Sequence, residues 1–344
     1  MSFCVVGGGK MGLSHLALIT PYLGKGSVAL VEPKRSVRVI FSLMGYRTYS
    51  SLDQALKQLG RLSGIIIATP TSSHAPLAEW AISRKIPCFV EKPLTLDVER
   101  SRRLLDLADQ SDVFAQTGFV MRYVATYQRV KTLVDTQQLG ALRRYNATMR
   151  GNVMTKPPKP ENWQGSFRRG GGCLNEYGPH IIDLCRFVFG NIREVRRAEY
   201  GRVMCEDADD WVDLDWTHDS NVTGQLKIDW ADSTKRKSVI EIQAEFEYAT
   251  VRADNSAFDI VWEANAPLDE ASRAAIESHA QPPNVGFYLR GEEFSLELED
   301  FLGRCLNKTL HVDPDAPTGI TPTLQDGFAV DQLIHDIAEK ADLK

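Results

Sequence analysis

Short, almost wholly apolar runs alternate with amphipathic stretches through the first third of the chain. Residues 3–6, 27–31, 64–68, 88–90 and 113–117 read as buried strands. Residues 11–22, 37–44, 52–59, 73–83 and 97–111 read as helices, the last capped by Thr95 or Asp97. Buried strands separated by helices predict a doubly wound parallel sheet. Residues 122–138 read as a linking helix. From Ala141 the pattern turns to strands, at 142–149, 192–200, 211–217, 222–230, 239–244, 248–252 and 258–262. Val212, Leu214 and Trp216 alternate with Asp213, Asp215 and Thr217, a period of two that buries one face. The expectation is an α/β protein of two domains. Residues 1–120 would hold the parallel sheet, and residues 121–344 a large, open, mostly antiparallel one.

Composition narrows the picture without changing it. At 344 residues, 43% hydrophobic and 25% charged, the chain can build a sizeable core. A formal net charge of -5 argues against a nucleic-acid partner. The six cysteines are scattered, with no Cys-x-x-Cys pair. They read as reduced, buried thiols of a cytoplasmic protein, without disulfides or a metal site. No secretion signal is visible, and no apolar run approaches the ~20 residues of a membrane span.

Candidate chemistry begins at the first strand. Gly7-Gly8-Gly9-Lys10-Met11-Gly12 fits Gly-x-Gly-x-x-Gly between a strand and a helix, a turn that brings backbone and helix N-terminus to a pyrophosphate. About 20 residues on, Glu32 follows the second strand and can accept hydrogen bonds from ribose hydroxyls, which favours NAD. A 2′-phosphate ~4 Å from it would meet several kcal/mol of repulsion at an effective dielectric near 20. Lys34 and Arg35 cut the other way if they clamp that phosphate, or are simply exposed. Thr69-Pro70 and His74 follow a strand at the carboxyl edge, where ligands of open sheets collect. His74 could line the nicotinamide half of the crevice or be satisfied by nearby backbone. Glu91-Lys92-Pro93 ends another strand, with Lys92 pointing into the same crevice.

The other half-site lies between the first two strands of the second domain. Gly170-Gly171-Gly172 precedes Cys173-Leu174-Asn175-Glu176-Tyr177-Gly178-Pro179-His180, and residues 181–189 read as an amphipathic helix. Glu176 and His180 are four apart, the spacing of one helical face, although Pro179 starts or kinks the helix there. A carboxylate beside an imidazole raises its basicity, as a general base requires; the alternative is a helix-start pair kept for stability.

These four signatures, in this order, resemble the Gfo/Idh/MocA family of NAD(P)-dependent oxidoreductases, which includes glucose–fructose oxidoreductase and inositol dehydrogenase. The resemblance implies a Rossmann domain, a second α/β domain, and homodimers or homotetramers assembled through its open sheet. It implies that Lys92 and His180 flank a reacting hydroxyl, oriented by Glu176, where the family usually has aspartate. Gly7, Gly9, Lys10, Met11, Gly12, Glu32, Thr69, Pro70, His74, Glu91 and Lys92 would hold NAD. Arg122, Trp163, Arg168, Asn175 and Tyr177 would meet a sugar, sugar derivative or cyclitol, although Trp163 equally suits core packing and Arg168 the surface. The alternatives are an NAD-binding regulator without turnover and an NAD-dependent glycoside-cleaving enzyme.

Overall fold

The computed structural model describes residues 1–159, 161–278, 289–308, 310, 317 and 319–343, and the chain divides into two compact units. The first opens with β1 (Phe3–Val6), α1 (Lys10–Leu23), β2 (Val28–Val31), α2 (Arg35–Leu43), β3 (Arg47–Tyr49) and α3 (Leu52–Leu59). It continues through β4 (Gly64–Ile67), α4 (His74–Ile82), β5 (Cys88–Glu91), α5 (Val98–Ser111) and β6 (Ala115–Gly118). The six strands are all parallel, in the order β3-β2-β1-β4-β5-β6.

Alternation along these strands sorts their side chains into two cores. Cys4, Val6, Ile65, Ile67, Cys88 and Val90 join one, with Ala55 of α3, Ala78 of α4 and Leu104 of α5. Phe3, Val5, Leu30, Ile66 and Phe89 join the other, with Leu16 and Ile19 of α1 and Phe41 of α2. Both faces are thus covered, as parallel strands of this composition demand.

The unit also extends beyond the expected boundary at 120/121. It runs to Tyr123 and takes in residues 321–331 and a helix near residue 300. Leu298, Phe301 and Leu302 of that helix pack on Phe3, Ile66 and Phe89, an apolar face that α1 and α2 leave open. The sequence reading assigns no helix there, and nothing in that stretch says which sheet it covers. Strand β3 was also missed: it has three residues, none of them buried, at the sheet edge.

The second unit holds α6 (Ala125–Thr136), β7 (Leu142–Arg150), α7 (Cys173–Glu176), α8 (Gly178–Phe189) and β8 (Ile192–Gly201). Strands β9 (Trp211–His218), β10 (Thr223–Asp229), β11 (Val239–Phe246), β12 (Ala249–Asp254) and β13 (Phe258–Trp262) follow. The helices after them are α9 (Glu270–Glu277), α10 (Glu292–Leu306), which is the helix assigned to the first unit, and α11 (Leu324–Lys340). The sheet order is β13-β12-β11-β7-β10-β9-β8, antiparallel except where β10 runs parallel to β7. Tyr145, Ala147, Met149, Leu214, Trp216, Ile228 and Ile242 point to the buried side. The other side carries Arg197 with Asp213 and Asp215, Arg144 with Glu245, and Arg150 with Glu241. Among the described residues no helix is long and apolar enough to cross a membrane.

Candidate functional site

In the first unit every expected cofactor residue sits at the carboxyl ends of β1, β2, β4 and β5. Gly7 has φ +103°, and a Cβ there would stand 2.6 Å from the Ala68 carbonyl oxygen. A Cβ on Gly12 would stand 1.9 Å from the Gly7 oxygen, so α1 can approach β1 only with glycine at that position. Gly9 caps α1 without a side-chain hydrogen bond, and a Cβ there would meet nothing within 4 Å. Exposed Lys10 and half-buried Met11 begin the helix. Its first N–H groups, at the positive end of the helix dipole, face open space suited to a pyrophosphate.

Glu32 is 9% exposed. Its Oε2 accepts from the Gly8 N–H and its Oε1 from the Lys34 N–H, both at 2.9 Å. Each oxygen keeps a further lone pair for a ribose hydroxyl. Lys34 and Arg35 are exposed. At the end of β4, the Thr69 hydroxyl is buried and has no hydrogen-bond partner among the described residues. An open helix start, a pre-set acid and an orphaned hydroxyl at the sheet's carboxyl edge together fit a bound dinucleotide.

Two expected ligand contacts prove to be turned inward. His74 is 1% exposed. Its Nδ1 lies 2.9 Å from the Pro93 carbonyl oxygen and its Nε2 2.9 Å from that of Thr69. Both ring nitrogens thus face backbone between the turns after β4 and β5, the second of the two sequence readings; a neutral ring donates to one of these carbonyls at a time, and only the protonated ring to both. Burial pulls its pKa below the ordinary value, against those carbonyls and Glu91. Arg122, 3% exposed, sits in a 2.9 Å ion pair with Asp326.

The end of β5 is held from below. His15 of α1 is fully buried, with Nε2 2.7 Å from Glu91 Oε1. The Lys92 N–H donates to Glu91 Oε2 at 3.2 Å. Burial would raise the Glu91 pKa, but the His15 hydrogen bond and charge, with Lys92 and His74, bring it below the usual value. Glu91 is thus an ionised strand terminus, and Lys92 leaves it half-buried. Sequence reasoning passed over His15; its only signal was a histidine on the apolar face of α1.

In the second unit the glycine-rich turn leads straight into the helical pair. Gly172 has φ +91°, and a Cβ there would lie 2.0 Å from Asp209 Oδ1. Asp209 is fully buried and braces the start of α7. Its Oδ2 accepts from the Leu174 N–H at 2.7 Å and from Cys173 Sγ at 3.0 Å, and its carbonyl from the Cys173 N–H. Burial, against those hydrogen bonds, pushes its pKa up to about 6. Asp209 too was missed, because adjacent acids before a strand read as solvated.

Glu176 ends α7 and His180 lies in the first turn of α8, with Tyr177 between the helices and Pro179 in that first turn. The four-residue spacing therefore spans a junction of two helices. Both side chains are half-buried. Asn175 is spent on the turn, donating to the Gly171 and Phe167 carbonyls at 2.8 and 3.3 Å. The Tyr177 hydroxyl bonds Ser238. Trp163 is 45% exposed and Arg168 is exposed. At its far end α8 is fixed by a relay: Trp216 donates to the Tyr145 hydroxyl, which meets His218 Nε2 at 2.7 Å, and His218 Nδ1 meets the Gly190 carbonyl. Because that carbonyl only accepts, Nδ1 carries the proton and Nε2 receives the tyrosine.

Comparison with known proteins covers both units. Residues 1–119 match the family model described as an oxidoreductase family with an NAD-binding Rossmann fold, and residues 127–247 that of the GFO/IDH/MocA C-terminal domain. The rhizopine catabolism protein MocA of Rhizobium meliloti is 26% identical over 187 residues, 54% of this chain and 56% of that protein. An inositol 2-dehydrogenase of Leifsonia xyli subsp. xyli is 31% identical over 190 residues, 54% and 53% of the two chains. The chain thus spans about half the length of the curated relatives it matches. A levoglucosan dehydrogenase solved with NADH and levoglucosan superposes with a TM-score of 0.80 over 99% of this chain and 97% of that one. At 17% identity that likeness shows a common fold.

Proposed function

The chain belongs to the Gfo/Idh/MocA family of oxidoreductases, and from that premise we propose that it moves a hydride between NAD and a secondary alcohol or ketone. The substrate is a sugar, a sugar derivative or a cyclitol, the class named for its inositol 2-dehydrogenase relative. Bound NAD supplies the hydride acceptor at nicotinamide C4.

The protein's residues do the rest. The backbone of Gly7, Gly9, Lys10, Met11 and Gly12 receives the pyrophosphate, and Glu32 the ribose hydroxyls in preference to a 2′-phosphate. Thr69, Pro70 and Glu91 shape the nicotinamide end, with His74 acting behind them. Lys92 holds the reacting oxygen and lowers the cost of its negative charge. His180 takes the hydroxyl proton during oxidation and returns it during reduction, with Glu176 as its orienting acid. Trp163 and Arg168, both exposed, meet the polyol; Asn175, Tyr177 and Arg122 support from behind. The six unpaired cysteines suit a reducing cytoplasm. The partners are a small-molecule substrate and further copies of the chain, as a homodimer or homotetramer.

The observation that carries this reading is a lysine rooted on an ionised, hydrogen-bonded acid at the same sheet edge as an open glycine turn. The test is NAD reduction with a panel of polyols and sugars, followed by variants. Lys92→Ala and His180→Ala should each cut turnover by roughly 10²- to 10⁴-fold while NAD affinity, measured in parallel, changes little. Near-normal turnover in either variant would sink the mechanism.

A further inference from the structure

Two buried histidines grip the chain on either side of Lys92. On the upstream side, His15 of α1 holds Glu91 Oε1, and Glu91 Oε2 in turn receives the Lys92 N–H. On the downstream side, His74 of α4 reaches the Pro93 carbonyl with one ring nitrogen and the Thr69 carbonyl with the other. The two rings are 0% and 1% exposed, so neither has a route to a ligand. His15 also packs edge-on against Phe89, the residue two before Glu91 on the same strand. The chain on either side of Lys92, at the Glu91 side chain and the Pro93 carbonyl, is thereby tied to the two helices that cover opposite faces of the parallel sheet.

We propose that His15 and His74 are positioning residues for Lys92, acting on the backbone that carries it. This rests on the reading of Lys92 as the residue that meets the reacting oxygen. A lysine has four rotatable side-chain bonds, so most of its freedom lies beyond Cα. Fixing the root is the contribution the fold itself can make. With the root set, the ammonium has a smaller volume to search for the reacting oxygen, and small displacements at a reacting centre are costly. His74 adds a contact of a different kind: its ring lies between the lysine turn and the Thr69 turn expected to face the nicotinamide, donating to one of the two carbonyls when neutral and to both when protonated. Cofactor and lysine are then placed by one ring.

The test has two arms. The first is kinetic. His15→Leu should lower kcat by roughly 10- to 100-fold while the dissociation constant for NAD moves less than about 3-fold; His74→Leu should lower kcat by a similar factor and weaken NAD as well, because its ring also meets the Thr69 turn. His15→Gln, which keeps an N–H for Glu91, should recover most of that loss. In a Lys92→Ala background the same histidine substitutions should cost almost nothing more, because residues acting through one group are non-additive. Additive losses, or no rescue by glutamine, would overturn the proposal.

The second arm needs no turnover. Modification of Lys92 by an amine-reactive reagent, followed by peptide mass spectrometry, should change at least about 3-fold in rate in either leucine variant, a factor worth ~0.7 kcal/mol. Exposed Lys10 and Lys34 serve as internal controls. An unchanged Lys92 rate would overturn the proposal even if no polyol is oxidised. An inactive wild-type enzyme with altered Lys92 labelling would instead fault the assigned reaction and keep the bracket. If either leucine variant fails to fold, the other is carried alone through both arms.

Discussion

Asp331 of α11 is 6% exposed, and its Oδ2 accepts from the Thr95 N–H at 2.8 Å and the Ser101 hydroxyl at 2.6 Å. Burial, opposed by those hydrogen bonds, pushes its pKa up to about 7, whereas an unfolded aspartate titrates near 4. The folded state therefore binds this proton more tightly. The stability it gives is full below about pH 4 and is lost as pH rises through about 7. Asp331→Asn keeps an oxygen for both donors and removes the charge. Relative to wild type it should gain on the order of 2 to 4 kcal/mol above neutral pH, shrinking towards zero near pH 4. Denaturant unfolding across that range checks it; a difference independent of pH would count against the buried charge. The same neighbours explain what could be read from single residues. Thr95 was one of two candidate caps for α5, yet Asp97 makes the cap and Thr95 turns to Asp331. Arg122 was expected at the substrate through the family resemblance, but it pairs with Asp326, some 200 residues on. Sequence spacing placed these residues on the right edge and could not name partners that only the fold supplies.

At the level of elements, the glycine turn separates two roles that the motif lumps together. Gly12 is a packing glycine: any Cβ would collide with the Gly7 carbonyl 1.9 Å away. Gly9 borders open space, so alanine is accommodated by the folded chain and occupies only the volume offered to a pyrophosphate. Gly9→Ala should melt within about 2 °C of wild type and bind NAD at least ~10-fold more weakly, a loss of ~1.4 kcal/mol. Gly12→Ala should lose both stability and binding. Thermal melts beside nicotinamide-fluorescence titrations distinguish them, and equal melting losses in the two variants would refute the division. The strands and helices around this turn were legible because each carries its own periodicity. Helix α10 was not. Its Leu298, Phe301 and Leu302 have helical spacing, but nothing in that stretch states that it closes the second face of a sheet begun at Phe3. Helices α7 and α8 were half legible: Pro179 announced a boundary, while the separate short helix ending at Glu176 depends on Asp209, more than thirty residues downstream.

For the whole molecule, the open question of assembly turns on one face of the seven-stranded sheet. An exposed sheet face was expected to need a cover, and the structure changes the reason. Its outward positions are mostly polar: Asn146 and Thr148 on the central strand β7, Gln225 and Lys227 on β10, and Gln243 on β11 stand among cross-strand ion pairs, with Val239, Val261 and Trp211 as apolar exceptions. Burial of hydrophobic area would therefore contribute little, and pairing would depend on hydrogen bonds and matched charges, which set register more than affinity. A two-fold axis brings the same strands of two copies together, so a residue near the middle of the face would meet its own counterpart or a close neighbour. Asn146 lies at that middle, flanked by Gln225 and Gln243 and making no described hydrogen bond inside the chain that would be lost. Asn146→Arg would then set two like charges against each other at the centre of the contact. The wild-type chain should run as a dimer or tetramer in light scattering at micromolar concentration. Asn146→Arg should reduce the mass to that of a smaller assembly or monomer. A wild-type monomer, or an unchanged mass in the variant, would show that this face is solvated and that its ion pairs serve the sheet alone.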